Sequence, residues 1–113
     1  MGDIVFKQLD RLHADIAAKA FSSPDTSYTA KLLSQGVEKC AKKFGEEAVE
    51  LALAAVQGKR GETIKEAADV LYHLLVLLQA TGVSPASVME ELKRREGTSG
   101  LVEKAARPLA EKS

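Results

Sequence analysis

The chain has no tryptophan, a single cysteine, three prolines and only five aromatic residues among its 113. One cysteine closes no internal disulfide, and Cys40 with His13 and His73 makes no spaced ligand set for a structural zinc, so a reducing, cytoplasmic setting is expected. Net charge is lacking too, because sixteen basic residues offset sixteen acidic ones. Without an overall positive field, binding to nucleic acid or to an anionic membrane is not expected, and any anionic ligand must be held by local chemistry. Long apolar runs are also missing. The run of large apolar residues at 74–78 is far below the roughly 20 of a membrane span, and the charges scattered through residues 1–20 leave no apolar core for a signal peptide.

What is present is 45% hydrophobic residues, with abundant Ala, Leu, Glu and Lys, a balance that favours helices over strands and fits one compact domain. Phe6, Leu9, Leu12, Ile16 and Ala20 recur at helical spacing and predict a helix over about 3–20, broken by Ser22-Ser23-Pro24-Asp25. Thr26 or Ser27 can cap a second helix running to Gln57, with a bend at Gly36 or Gly45 and an apolar stripe of Val37, Cys40, Phe44, Ala48, Leu51 and Ala55. Residues 58–61 read as a turn with glycine at both ends, before a third helix over about 62–80. Gly82 stops that helix, and Ser84-Pro85 opens a fourth over about 85–95. One or two further turns are expected over 101–106.

The third helix is apolar around most of its circumference, yet Glu62, Glu66, Asp69 and His73 share a sector of roughly 60° on it. On the preceding helix, Glu46, Glu47 and Glu50 are placed opposite the Cys40 stripe, over roughly 100°, with Val49, Leu53 and Val56 as a second apolar strip beside them. A short turn makes the two helices antiparallel neighbours, so the carboxylates of Glu46, Glu47, Glu50, Glu66 and Asp69 can converge. Crowded carboxylates need a cation, and oxygen ligands without thiolate suit magnesium or manganese better than zinc. The chemistry implied is metal-assisted attack of water on a phosphoanhydride. The alternative for Glu46, Glu47 and Glu50 is a solvated face paired with Lys39, Lys42 and Lys43 one turn earlier. His73 is read as a packed or hydrogen-bonded bundle residue, and Cys40 as a small buried hydrophobe.

Glu46-Glu47-x-x-Glu50 followed by Glu66-x-x-Asp69 resembles the EExxE…ExxD signature of the all-α, MazG-like nucleoside triphosphate pyrophosphohydrolases. Within them, three segments are similar to the phosphoribosyl-ATP pyrophosphatases of histidine biosynthesis: Ser27-Tyr28-Thr29-Ala30-Lys31-Leu32, Lys42-Lys43-Phe44-Gly45-Glu46-Glu47-Ala48, and the run from Glu66 through Tyr72-His73 to Leu78. The end, from Ser99 to Arg107, is similar too. The resemblance implies a MazG-like bundle of four main helices plus a short C-terminal helix, one domain over 1–113 with its core at about 6–108, assembled as a homodimer. It further implies hydrolysis of the α,β-phosphoanhydride of phosphoribosyl-ATP with magnesium, or manganese as a substitute. Glu47, Glu50, Glu66 and Asp69 would hold the metal, and Glu46, or whichever carboxylate lies outside that shell, would accept the proton of the attacking water.

Candidate donors to the phosphates are Lys39, Lys42, Lys43, Lys59, Arg60, Arg94, Arg95 and Lys104. Tyr28 or Tyr72 could stack on adenine, with Tyr72 the better candidate for the core. The third helix is too apolar for a small monomer, which also points to a second subunit. Two rival readings stay open at this stage: a relative acting on another nucleoside triphosphate, and a helical dimerisation module whose acidic stripe stays wet.

Overall fold

The computed structural model describes residues 2–97 and 99–108, and every element among them is helical. The order is α1 (Gly2–Lys19), α2 (Tyr28–Ser34), α3 (Val37–Val56), α4 (Arg60–Thr81), α5 (Pro85–Arg94) and α6 (Gly100–Ala106). The described residues fall into two compact units, the first ending at Val83 and the second beginning at Ser84.

In the first unit α3 and α4 pack along their lengths, and α1 and α2 lean on α4. Ile16 of α1, Leu32 of α2, Cys40 of α3 and Val76 of α4 form its buried centre, with Leu12, Leu33, Tyr72, Leu75 and Leu77 packed around it. Ser27 is the cap of α2, its Oγ accepting from Ala30 N at 3.1 Å. The expected second helix is two helices. Gly36, at φ 91 and ψ 172, lies where residues with a Cβ rarely go, so the chain turns there instead of bending through. Across the break the Cys40 thiol donates to the Leu32 carbonyl at 3.3 Å, tying the start of α3 back to α2. The total among the described residues is therefore six helices, not five.

The α3–α4 turn is tighter than the spacing of glycines predicts, because Arg60 and Gly61 already belong to α4. Gly58 (φ 70) donates to the Ala55 carbonyl and Lys59 N to the Ala54 carbonyl, the paired bonds of a glycine-terminated helix end. Gly82 closes α4 in the same left-handed way.

Two expectations about faces need correction. The apolar positions at the start of α1 and α3 stay open, with Phe6 and Val37 exposed. Glu47 does not lie opposite Cys40. Cys40 and Ala54 are both buried, and Glu47, seven residues from each, lies on that same inward line, because seven residues are nearly two helical turns.

In the second unit, Ser84 Oγ accepts from Ser87 N and Pro85 takes the first helical position of α5, while Ser99 Oγ accepts from Val102 N to start α6. Glu91 holds both arginines at the end of α5: Arg94 through Nε and Nη2 at 2.9 and 2.6 Å, and Arg95 through Nε at 2.9 Å. That double grip lowers the Glu91 carboxyl to about 2.

Candidate active site

An antiparallel hairpin turning at Gly58 brings together residues equally far from it in sequence. Glu50 and Glu66 each lie eight residues away, Glu47 and Asp69 eleven, Lys43 and His73 fifteen, Cys40 and Val76 eighteen. These pairs alternate in steps of three and four along both helices, the spacing that keeps side chains on one face. The inner face thus passes from apolar at the Cys40–Val76 end to acidic near the turn.

One carboxylate oxygen each from Glu47, Glu66 and Asp69 lies within 4.8 Å of the others. Glu66 is half-buried, its Oε2 has no hydrogen-bond partner among the described residues, and burial together with the facing Glu47 and Glu50 carboxylates pushes its pKa up to about 7. Glu50 and Glu66 also line an open cleft of about 280 Å³ with Leu53, Ala54, Gln57 and Glu62. An orphaned buried carboxylate oxygen beside two further carboxylates is a poor arrangement for anions alone and a suitable one for a divalent cation. The donor set is all oxygen, which fits magnesium or manganese.

The other sequence-predicted residues separate into groups. Glu46 is exposed and outside the three-carboxylate cluster, though its charge is felt at His73. Lys39 and Lys42 are exposed and Lys43 half-buried, and among the described residues none of them forms an ion pair with Glu46, Glu47 or Glu50. Lys59 and Arg60 sit exposed at the turn, Lys59 as the cap residue of α4. Arg94, Arg95 and Lys104 belong to the second unit, where Glu91 engages both arginines.

Beyond Asp69 on the same face, His73 is 5% exposed, and its Nδ1 has no hydrogen-bond partner among the described residues. Burial lowers its pKa, against the pull of Glu47. Its ring meets Tyr72 edge to face at 5.0 Å and Tyr28 at 6.4 Å, and the two tyrosines lie nearly parallel, also at 6.4 Å. The Tyr72 hydroxyl pairs with that of Thr29, a buried residue that no periodicity argument singles out. The symmetry of Glu50 with Glu66 and of Glu47 with Asp69 about Gly58 is the signal that could have found the site's register.

The sequence model of the phosphoribosyl-ATP pyrophosphohydrolase family matches residues 9–96. Curated relatives agree over most of their lengths. The phosphoribosyl-ATP pyrophosphatase of Cereibacter sphaeroides is 61% identical over 99 residues, covering 88% of this chain and 96% of that protein. That of Dinoroseobacter shibae is 61% identical, over 88% and 97%, and that of Parvibaculum lavamentivorans 58%, over 88% and 92%. The chain belongs to the phosphoribosyl-ATP pyrophosphohydrolase family.

Proposed function

We propose that this chain hydrolyses the α,β-phosphoanhydride of phosphoribosyl-ATP, giving phosphoribosyl-AMP and pyrophosphate in histidine biosynthesis. The observation that carries the reading is the convergence of Glu47, Glu66 and Asp69 within 4.8 Å in a chain of this family. Glu47, Glu66 and Asp69, with Glu50 beside them, are the proposed holders of a magnesium ion, for which manganese can substitute. A divalent ion at such a site supplies polarisation of phosphate oxygens and a lowered pKa for the attacking water.

The chain's own groups do the rest. Glu46, adjacent to the cluster and open to solvent, is the proposed acceptor of the water's proton. Lys43 lies fifteen residues before Gly58, level with His73, and is the best placed of the three lysines to donate to the outgoing phosphates. Lys39, Lys42, Lys59 and Arg60 are further proposed donors on the first unit, and Arg94, Arg95 and Lys104 on the second. The family match crosses from Val83 to Ser84, which supports reading both units as one pyrophosphohydrolase domain in function.

A homodimer is proposed because Val49, Leu53 and Val56 on α3 and Ile64 and Leu71 on α4 are large apolar side chains left exposed. The activity test is product analysis. Phosphoribosyl-AMP and pyrophosphate, with no orthophosphate in the first turnover, are expected from phosphoribosyl-ATP. Release of orthophosphate with phosphoribosyl-ADP, or equal turnover of a panel of other nucleoside triphosphates, overturns the reading.

A further inference from the structure

Tyr28 is 54% exposed, although one side of its ring is engaged by Tyr72 at 6.4 Å and 18° and by the edge of His73. The ring is therefore held by its neighbours while keeping open surface. Tyr72 is anchored in turn by the Thr29 hydroxyl, and His73 by burial. Tyr28 is thus a fixed, partly open aromatic ring in a chain with five aromatics and no tryptophan.

Its position relative to the carboxylates is defined through His73. That residue follows Asp69 by one helical turn, about 6 Å along α4, and feels the charges of Glu47 and Asp69. One ring contact beyond His73 is Tyr28. Tyr28 thus stands one ring contact from a residue that feels the carboxylate cluster, all within the first unit. A nucleotide with its phosphates at the carboxylates carries its purine about one sugar away, a reach of the order of the one helical turn and one ring contact that separate Asp69 from Tyr28.

We propose that the exposed ring of Tyr28, backed by Tyr72 and His73, receives the purine of the substrate and selects a base alkylated at N1 over plain adenine. This rests on the phosphoribosyl-ATP reading for its substrate, a nucleotide whose added ribosyl group is attached at N1 of the adenine, but the selection follows from the rings. Alkylation at N1 makes the purine a stronger base, and its protonated form is a flat cation. Such a ring stacks more strongly on the electron-rich face of a tyrosine than neutral adenine does. Adenine in ATP lacks that charge, so the tyrosine pair discriminates between the substrate and the far commoner nucleotide that resembles it. Tyr28 and Tyr72 are the chain's two tyrosines, so its intrinsic fluorescence above the phenylalanine background reports this site alone.

The test has two arms. In the first, wild-type protein is titrated with 1-methyladenosine 5′-monophosphate and with AMP, following tyrosine fluorescence with absorbance correction. At least severalfold tighter binding of the methylated nucleotide is expected, and equal binding or no quenching overturns the proposal. In the second, Tyr28→Leu should raise KM for phosphoribosyl-ATP about tenfold, the scale of one lost base–aromatic stack, with a smaller effect on kcat. Tyr28→Phe should recover most of the loss. A KM within twofold of wild type in Tyr28→Leu also overturns it. If the methylated nucleotide is preferred but phosphoribosyl-ATP is not hydrolysed, the activity reading fails and the base subsite stands.

Discussion

Glu66 carries the sharpest chemistry at the scale of single residues. Its carboxyl is pushed up to about 7, so without metal the folded protein holds a proton there that the unfolded chain releases near 4.5. Between these values the native state binds more protons, and metal-free stability must fall as pH rises from about 4.5 through 7. Melting in the presence of chelator should therefore show a higher Tm at pH 5 than at pH 7.5, and Glu66→Gln should flatten the difference. Magnesium competes with that proton, so its stabilising effect should grow from pH 6 to pH 8. Glu66→Gln and Asp69→Asn should each cost at least about a hundredfold in turnover while keeping the helical circular dichroism of the parent. In both variants, the magnesium-dependent rise in Tm should largely disappear. Near-normal turnover in both would remove these carboxylates from the active site.

Helix ends decide the outcome for the elements. Gly36 and Gly58 have φ of 91 and 70, and a Cβ at either would meet nothing within 4 Å. Replacement by alanine therefore costs backbone strain without a clash, about 1 kcal/mol at each site. Gly45, inside α3 with an ordinary φ and equally open surroundings, is the control: Gly45→Ala should stabilise by roughly 0.5 to 1 kcal/mol. Urea unfolding of the three variants checks the contrast, and a destabilised Gly45→Ala would mean that something approaches α3 closely there. The end of α5 offers a second pH window. Glu91 is lowered to about 2 by Arg94 and Arg95, so whatever it contributes is present above about 4.5 and lost as pH falls toward 2.

The whole molecule turns on what covers its remaining apolar surface. Leu75 packs against the buried centre, whereas Val49 and Leu53 are exposed on α3. Leu75→Asp should leave unfolded or aggregated protein, because a charge in that packing costs several kcal/mol. Val49→Asp combined with Leu53→Asp should instead keep the helical spectrum but shift sedimentation from twice the chain mass to the chain mass. A wild-type protein that sediments as a monomer throughout the micromolar range would refute the homodimer. Among the described residues no single helix is long and apolar enough to cross a membrane.

Much of this was already legible in the sequence. Apolar spacing, Ser27, Ser84-Pro85 and Gly82 marked where helices begin and stop, because caps and periodicity act over a few residues. The meeting of carboxylates was partly legible too, since Glu66 and Asp69 interrupt an otherwise apolar helix. The rest depended on contacts between helices. α3 is apolar on two flanks, so its period alone did not say which side turns inward, and packing against α4 about Gly58 turned Glu47 inward, set the exposed Glu50 facing Glu66 and left Glu46 outside the cluster. The sequence offered Gly36 and Gly45 alike as places for a bend and did not make either a break, because glycine permits a positive φ without requiring one. The meeting of Tyr28, Tyr72 and His73 joins α2 to a residue pair more than forty positions away in α4, and only tertiary structure sets such a contact.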